Sequence, residues 1–132
     1  MPSLRRSPKT IRRARLDDAG VMGIIAPFPR LVTQVGFERF ELSRILDLYG
    51  RMVAAGHWRD YALQFDRKSA SFAAFRRTAE RPEIRIEKCP ALRNRQGEWA
   101  LVGEAGLVLK RGHELGAVLA PIERRLMKLV VG

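Results

Sequence analysis

Apolar residues recur every three or four positions along residues 38–55, the spacing that lines one face of an α-helix. The apolar positions are Leu42, Ile45, Leu46, Tyr49, Met52 and Val53. The polar positions on the other side are Glu41, Arg44, Asp47 and Arg51. The pattern predicts an amphipathic first helix with one face turned to a core. Gly56 follows it and provides the left-handed residue that commonly ends a helix.

After Gly56 the apolar pattern changes from the helical period to the alternation of a half-buried β-strand. Tyr61, Leu63 and Phe65 show the alternation first. About five strands are predicted, over residues 61–65, 69–76 and 84–87, a segment that begins at 99, and 107–110. Because the connecting segments are short, we expect neighbouring strands to pair antiparallel, as a meander.

The helical period returns near His113 and continues towards the end of the chain. The apolar positions there are Leu115, Val118, Leu119 and Ile122. Pro121 should kink or end this helix, or start a short terminal one. The apolar tail from Leu126 should pack back on the core or on a partner chain. The predicted fold class is α+β: an N-terminal amphipathic helix, an antiparallel meander of about five strands and a C-terminal helix, with both helices on the apolar face of the sheet.

The charge of the chain is strongly basic but unevenly distributed. Among 132 residues there are 25 Lys and Arg against 14 Asp and Glu, a formal net charge of +11. Residues 1–16 contain six basic residues and no acid. We therefore predict a disordered basic arm and extended linker over residues 1–36 and a single α+β domain over 37–132. The arginine excess fits phosphate binding, and it fits the codon usage of a G+C-rich genome equally well.

The sequence predicts a cytoplasmic protein that binds no membrane. Cys89 is the single cysteine, so the chain has no disulfide framework. No apolar run reaches the 18 residues that a membrane-spanning helix needs. Near the N-terminus, Asp17, Asp18, Pro27 and Pro29 interrupt any signal-like segment.

Residue types that carry catalysis are few and scattered. His57 follows a helix end and is predicted in a surface turn, and His113 is predicted in a capping or surface role. Cys89 precedes a proline in a loop and is predicted to be a bystander thiol. These three groups match no zinc-ligand spacing, and no nucleotide-binding glycine motif is present. We therefore predict no enzymatic activity, no metal, no cofactor and no small-molecule substrate.

The meander leads to a candidate binding surface, because alternate turns of a meander lie at the same end of the sheet. The 66–68 turn, the 89–97 loop and the 110–113 junction would lie together, beside the N-terminus of the last helix, whose free N–H groups favour an anion. Gly112 could let a phosphate approach the backbone there. The candidate anion-binding residues are Arg67, Lys68, Arg93, Arg95, Lys110, Arg111, Gly112 and His113.

Two functions follow from these features, against a background in which charged turns are ordinary on small domains. The first is a non-enzymatic module that binds RNA, DNA or another polyanion through the basic edge. The alternative is a protein-interaction or assembly-subunit domain that docks on a partner or a second copy through the C-terminal apolar tail or the first helix.

A string of short motifs also resembles a known family. In order along the chain these are LYGRMVAAG at 48–56, WRDY at 58–61, FRR at 75–77, RIEK at 85–88, RQG at 95–97 and GLVLKRGH at 106–113. The string resembles an uncharacterised alphaproteobacterial family known only as a domain of unknown function. The resemblance covers roughly residues 35–122, and it implies a small cytoplasmic bacterial protein without assigning an activity, a cofactor or a catalytic residue.

Overall fold

The structure is a computed structural model that describes residues 10–15, 34–77 and 81–131. Its helices are α1 (Arg39–Ala54) and α2 (Leu115–Val131). Its strands are β1 (Thr10–Arg15), β2 (Asp60–Phe65), β3 (Ala70–Phe75), β4 (Ile84–Lys88), β5 (Trp99–Gly103) and β6 (Val108–Gly112). The predicted α+β class, with two helices and an antiparallel meander, is confirmed.

The strands form one sheet in the order β1-β2-β3-β4-β5-β6, and every neighbouring pair is antiparallel. The five predicted strands are β2 to β6, each within about two residues of its expected bounds. Strand β1 joins them as an edge strand, with Thr10 opposite Phe65 and Arg15 opposite Asp60.

The sequence analysis predicted no strand at β1. The segment TIRRAR lacks the apolar alternation that marks a half-buried strand, because Arg12 and Arg13 are adjacent. It is ordered by backbone pairing with β2, and that interaction leaves no pattern in the side chains. The other residues predicted as arm and linker, 1–9 and 16–33, lie outside the described residues, so their assignment stays a prediction.

The core lies between the two helices and one face of the sheet. Tyr49 is at its centre, with its ring centroid 5.0 Å from that of Tyr61 and 6.0 Å from that of Phe72. Its hydroxyl donates a 2.5 Å hydrogen bond to the carbonyl of Arg59, which satisfies the polar end of this fully buried side chain. Helix α2 contributes Leu115, Val118, Leu119, Ile122 and Leu126 to the same core.

Helix α2 departs from the sequence prediction at Pro121. The helix continues through this residue to Val131, so Pro121 neither ends it nor starts a separate one. Proline lacks the N–H that would bond the carbonyl four residues earlier, and the burial of Leu119 and Ile122 on either side compensates by holding the segment against the sheet. Leu126 packs into the core, whereas Met127, Leu129 and Val130 are exposed.

A buried ion pair joins the start of α1 to the end of β4. Lys88 Nζ lies 2.7 Å from Glu41 Oε1 and donates a second hydrogen bond, of 3.1 Å, to the carbonyl of Gly36. The Glu41 carboxylate also accepts from the backbone N–H of Glu38, the N-cap of the helix, at 2.8 Å, as part of a capping box. The sequence analysis placed Glu41 on the exposed face of α1. That placement is wrong, because at the third helical position the side chain turns back to the cap and to Lys88.

We expect Lys88→Met to lower the free energy of unfolding by about 3–5 kcal/mol, because it leaves the Glu41 carboxylate buried without its cation. Both side chains are about nine-tenths buried. Urea unfolding followed by circular dichroism measures the change. The control is Arg51→Met, which removes an exposed ion pair with Asp47 and should cost less than about 1 kcal/mol. Equal losses in the two variants would contradict the prediction.

Candidate functional site

The direction of the strands gathers the predicted basic segments at one end of the sheet. Strands β2, β4 and β6 run in the same direction, so the turn after β2, the loop after β4 and the junction after β6 share that end. Lys110 and Arg111, predicted in the junction, lie within β6, where Lys110 is at mid-strand opposite Leu101. We call this end of the sheet, together with the adjoining half of β6, the basic edge. Its cations are Arg67, Lys68, Arg93, Arg95, Lys110 and Arg111.

The turn after β2 presents two cations on a well-ordered backbone. Asp66 Oδ1 accepts from the backbone N–H groups of Lys68 and Ser69, each at 2.8 Å. A backbone hydrogen bond of 2.8 Å also runs from Val35 N–H to the carbonyl of Asp66. Arg67 and Lys68 are exposed at the tip, so the turn holds both side chains towards solvent.

The loop after β4 contains two arginines, of which Arg93 pairs with an acid and Arg95 has no acidic partner among the described residues. Arg93 donates to Glu98 at 3.0 Å through Nη2 and 3.3 Å through Nε. The hydrogen bond and the charge of Glu98 raise the pKa of Arg93. Arg111, at the end of β6, donates to the carbonyl of Gly97 at 3.3 Å. These two arginines therefore organise the loop, and Arg95 is exposed beside them.

A close backbone contact fixes this loop against the end of β6. Gly97 has φ +114°, and a Cβ there would lie 2.6 Å from the carbonyl oxygen of Gly112, so only glycine fits. On the other side of Gly112, a Cβ would lie 3.0 Å from the Cβ of Ala117 in the first turn of α2. The space beside Gly112, which the sequence analysis offered to a phosphate, is thus occupied by α2. His113 is exposed at the same junction.

Four cations of the basic edge have no anionic partner within the described part of the chain. The side chains of Arg67, Lys68, Arg95 and Lys110 make no ion pair or hydrogen bond there. Of the neighbouring acids, Asp66 is engaged by its own turn and Glu98 by Arg93, whereas Glu114 is exposed at the start of α2. The edge therefore carries positive charge that its own acids do not neutralise.

The opposite end of the sheet is organised around the Glu83 carboxylate. Trp58 Nε1 donates to Glu83 Oε1 at 2.7 Å, and the Arg125 guanidinium of α2 pairs with Oε2. His57 Nε2 lies 3.8 Å from the same Oε2. The carboxylate thus ties the end of α1, the start of β4 and α2 together. No sequence signal shows this, because the residues are far apart in the chain.

The position of His57 differs from the predicted surface turn. Its Nε2 atom is buried and has no hydrogen-bond partner among the described residues. Burial and the positive charge of Arg125 lower the pKa of His57, against the opposing effect of Glu83. The histidine therefore resists protonation.

A cleft of about 330 Å³ opens beside this cluster. It is lined by Arg76, Arg77, Arg81, Glu83 and Glu104. Arg76 and Glu104 lie 3.7 Å apart, and both are half-exposed. The cleft thus mixes both signs of charge, unlike the basic edge.

The described residues include Cys89, His57 and His113. They contain no group of three His, Cys, Asp or Glu side chains that could hold a metal ion. Cys89 is half-buried, and its backbone N–H donates to the carbonyl of Glu98 at 2.7 Å. Neither helix in the described ranges is both long and apolar enough to cross a membrane.

Comparison with known proteins gives one match. A family model described as "Protein of unknown function (DUF2794)" matches residues 35–119. No curated protein and no solved structure matches the chain. The matched range begins just before α1 and ends within α2, so it includes the whole basic edge. The alphaproteobacterial origin and the motif string stay predictions.

We expect the folded protein to lose stability as the pH falls below about 6.5, the ordinary pKa of histidine in an unfolded chain, partly through His57. Its pKa is lowered in the folded state, so the unfolded chain takes up the proton first. The stabilisation of the folded protein by neutral His57 is complete above about pH 6.5. It is lost as the pH falls through the pKa of His57 in the folded state. Urea unfolding of wild type and His57→Gln between pH 7.5 and 5 measures it, and parallel profiles would contradict it.

Proposed function

Because the chain belongs to the DUF2794 family, whose description assigns no activity, we propose its function from the site: a non-enzymatic cytoplasmic module that binds nucleic acid or another polyanion. One observation carries the proposal. Four cations, Arg67, Lys68, Arg95 and Lys110, lie on the basic edge, and none of them has an acidic partner among the described residues. Each phosphate that such a cation neutralises releases a bound counterion, which favours association.

The spread of these cations favours a polymer over a single small anion. Neighbouring strands lie about 4.8 Å apart, so the turn between β2 and β3 is roughly 15 Å from the end of β6. One phosphate group cannot contact cations that far apart. A nucleic-acid backbone offers a phosphate every few ångströms and can contact several of them together.

The edge supports contacts to the phosphate backbone rather than to bases. Trp99, the aromatic residue at this end of β5, is buried, and its ring stacks on Phe37 with centroids 6.1 Å apart. Lys88 Nζ lies over the same ring, 5.7 Å from its centroid. These rings are part of the core, so they provide no platform for base stacking. We therefore expect binding with weak sequence preference and strong salt dependence.

A protein-interaction role is the second candidate, and exposed apolar side chains favour it. Met127 and Val130 near the end of α2 are 63% and 68% exposed, and Phe40 on α1 is 68% exposed. Isolated apolar residues are common on protein surfaces, so this observation is weaker than the gathering of unpaired cations.

Reversing the four unpaired cations, Arg67→Glu, Lys68→Glu, Arg95→Glu and Lys110→Glu, should abolish binding to a fluorescent duplex RNA or DNA. The wild type should lose affinity steeply with salt, with a slope of log K against log salt of about −3.6 on duplex DNA for four phosphate contacts. Fluorescence anisotropy at several salt concentrations measures both. Arg93 and Arg111 are left unchanged because they hold the loop.

The matched control reverses four exposed cations outside the basic edge: Arg77, Arg81, Arg124 and Lys128. The net charge of the two variants is the same, so a difference between them reports position and not total charge. Equal losses of affinity in the two variants would show that net charge alone explains the effect, and would contradict a site at the basic edge. Undiminished binding by the edge variant, with its circular dichroism unchanged, would overturn the proposal.

A further inference from the structure

Strand β6 forms one edge of the sheet and carries an apolar surface to that edge. Leu107, Val108 and Leu109 are consecutive and are 69%, 50% and 59% exposed. Among the described strands β6 pairs with β5 alone. Natural edge strands are normally protected by charges, proline or a covering element. In β6 the charges, Lys110 and Arg111, lie in the second half of the strand, and residues 105–109 contain no charge and no proline.

The backbone of β6 is oriented so that a further strand could hydrogen-bond to it at Val108. The carbonyl of Leu107 accepts from the N–H of Gly103 at 2.8 Å, so the backbone of Leu107 points to β5. Backbone groups of successive residues in a strand point to opposite sides. The N–H and C=O of Val108 therefore point outwards, away from β5, where a second strand would meet them.

We infer that two copies of this chain associate by antiparallel pairing of their β6 strands about Val108. Pairing of Val108 with Val108 of the second copy uses the outward N–H and C=O of both. It also places Leu107 of each copy opposite Leu109 of the other, so the apolar residues of both strands face one another. The arrangement is a two-fold interface that closes on itself and continues the sheet through both copies.

The charges at the end of the strand are compatible with this register. Beyond the β-bulge opposite Leu101 and Val102, Lys110 and Arg111 of each copy would lie beside the 104–106 turn of the other, which contains no cation, so no two cations face each other. A strand at the other edge is a poorer partner for β6, because β1 contains three arginines in six residues. Charge and apolar pattern thus favour a second β6 over a head-to-tail assembly through β1.

Two matched double variants test the register. Leu107→Lys with Leu109→Lys places a lysine opposite a lysine at both positions where residue 107 of one copy meets residue 109 of the other. The dissociation constant of the dimer should rise at least about tenfold. Leu107→Lys with Leu109→Glu places a lysine opposite a glutamate at both of these positions, and the dimer should be retained. Sedimentation equilibrium over a range of concentrations measures the dissociation constant of each.

A third variant tests the backbone contact while leaving the side chains of both leucines in place. Val108→Pro removes an N–H that β5 does not use, so the fold should remain and the dimer should dissociate. Met127→Lys, at an exposed apolar position on α2, is the control and should leave the dimer intact. A monomeric wild type at about 100 μM would overturn the inference, and so would dissociation by Met127→Lys or equal effects of the two double variants.

Discussion

The Lys88–Glu41 ion pair sets the position of α1 on the sheet, and the geometry of the basic edge depends on it. The lysine at the end of β4 holds a carboxylate of the first helical turn and the carbonyl of Gly36 just before it. Burying these two charges costs desolvation free energy. Hydrogen bonds offset that cost: Glu41 accepts from the N-cap N–H, and Lys88 donates to the carbonyl of Gly36. The segment that leads into α1 is thereby drawn across the same end of the sheet as the basic turns.

Order at the basic edge comes from short local contacts in addition to this pair. The Asp66 turn, the Arg93–Glu98 pair and the Gly97–Gly112 contact each fix one segment of backbone. The cations that remain outside these contacts are those the proposal uses. Preformed backbone with free side-chain charges suits a partner whose phosphates vary in position, because each side chain can adjust while its attachment point stays fixed.

The sequence predicted the elements well and the polar interactions poorly. Apolar periodicity identifies α1, α2 and five strands because burial of alternate or three-and-four-spaced side chains drives their formation. The same signal is absent from β1, whose order depends on backbone pairing with β2. The inward turn of Glu41 and the Glu83 cluster depend on partners up to 47 residues away, and nothing in local spacing indicates them. The basic edge was predictable because it needed only the strand order, which a meander with short connections determines.

The order of the strands also bears on how the chain reaches its native state. Strands β3 to β6 each pair with the preceding strand in the sequence, so their contacts close only short loops. Domains rich in such local contacts fold fast for their size. The more distant contacts include the pairing of β1 with β2, the Lys88–Glu41 pair and the packing of α2 beside α1. Because these contacts require larger loop closures, the meander is suited to assemble first, and the N-terminal strand and the two helices to join a sheet that is already formed.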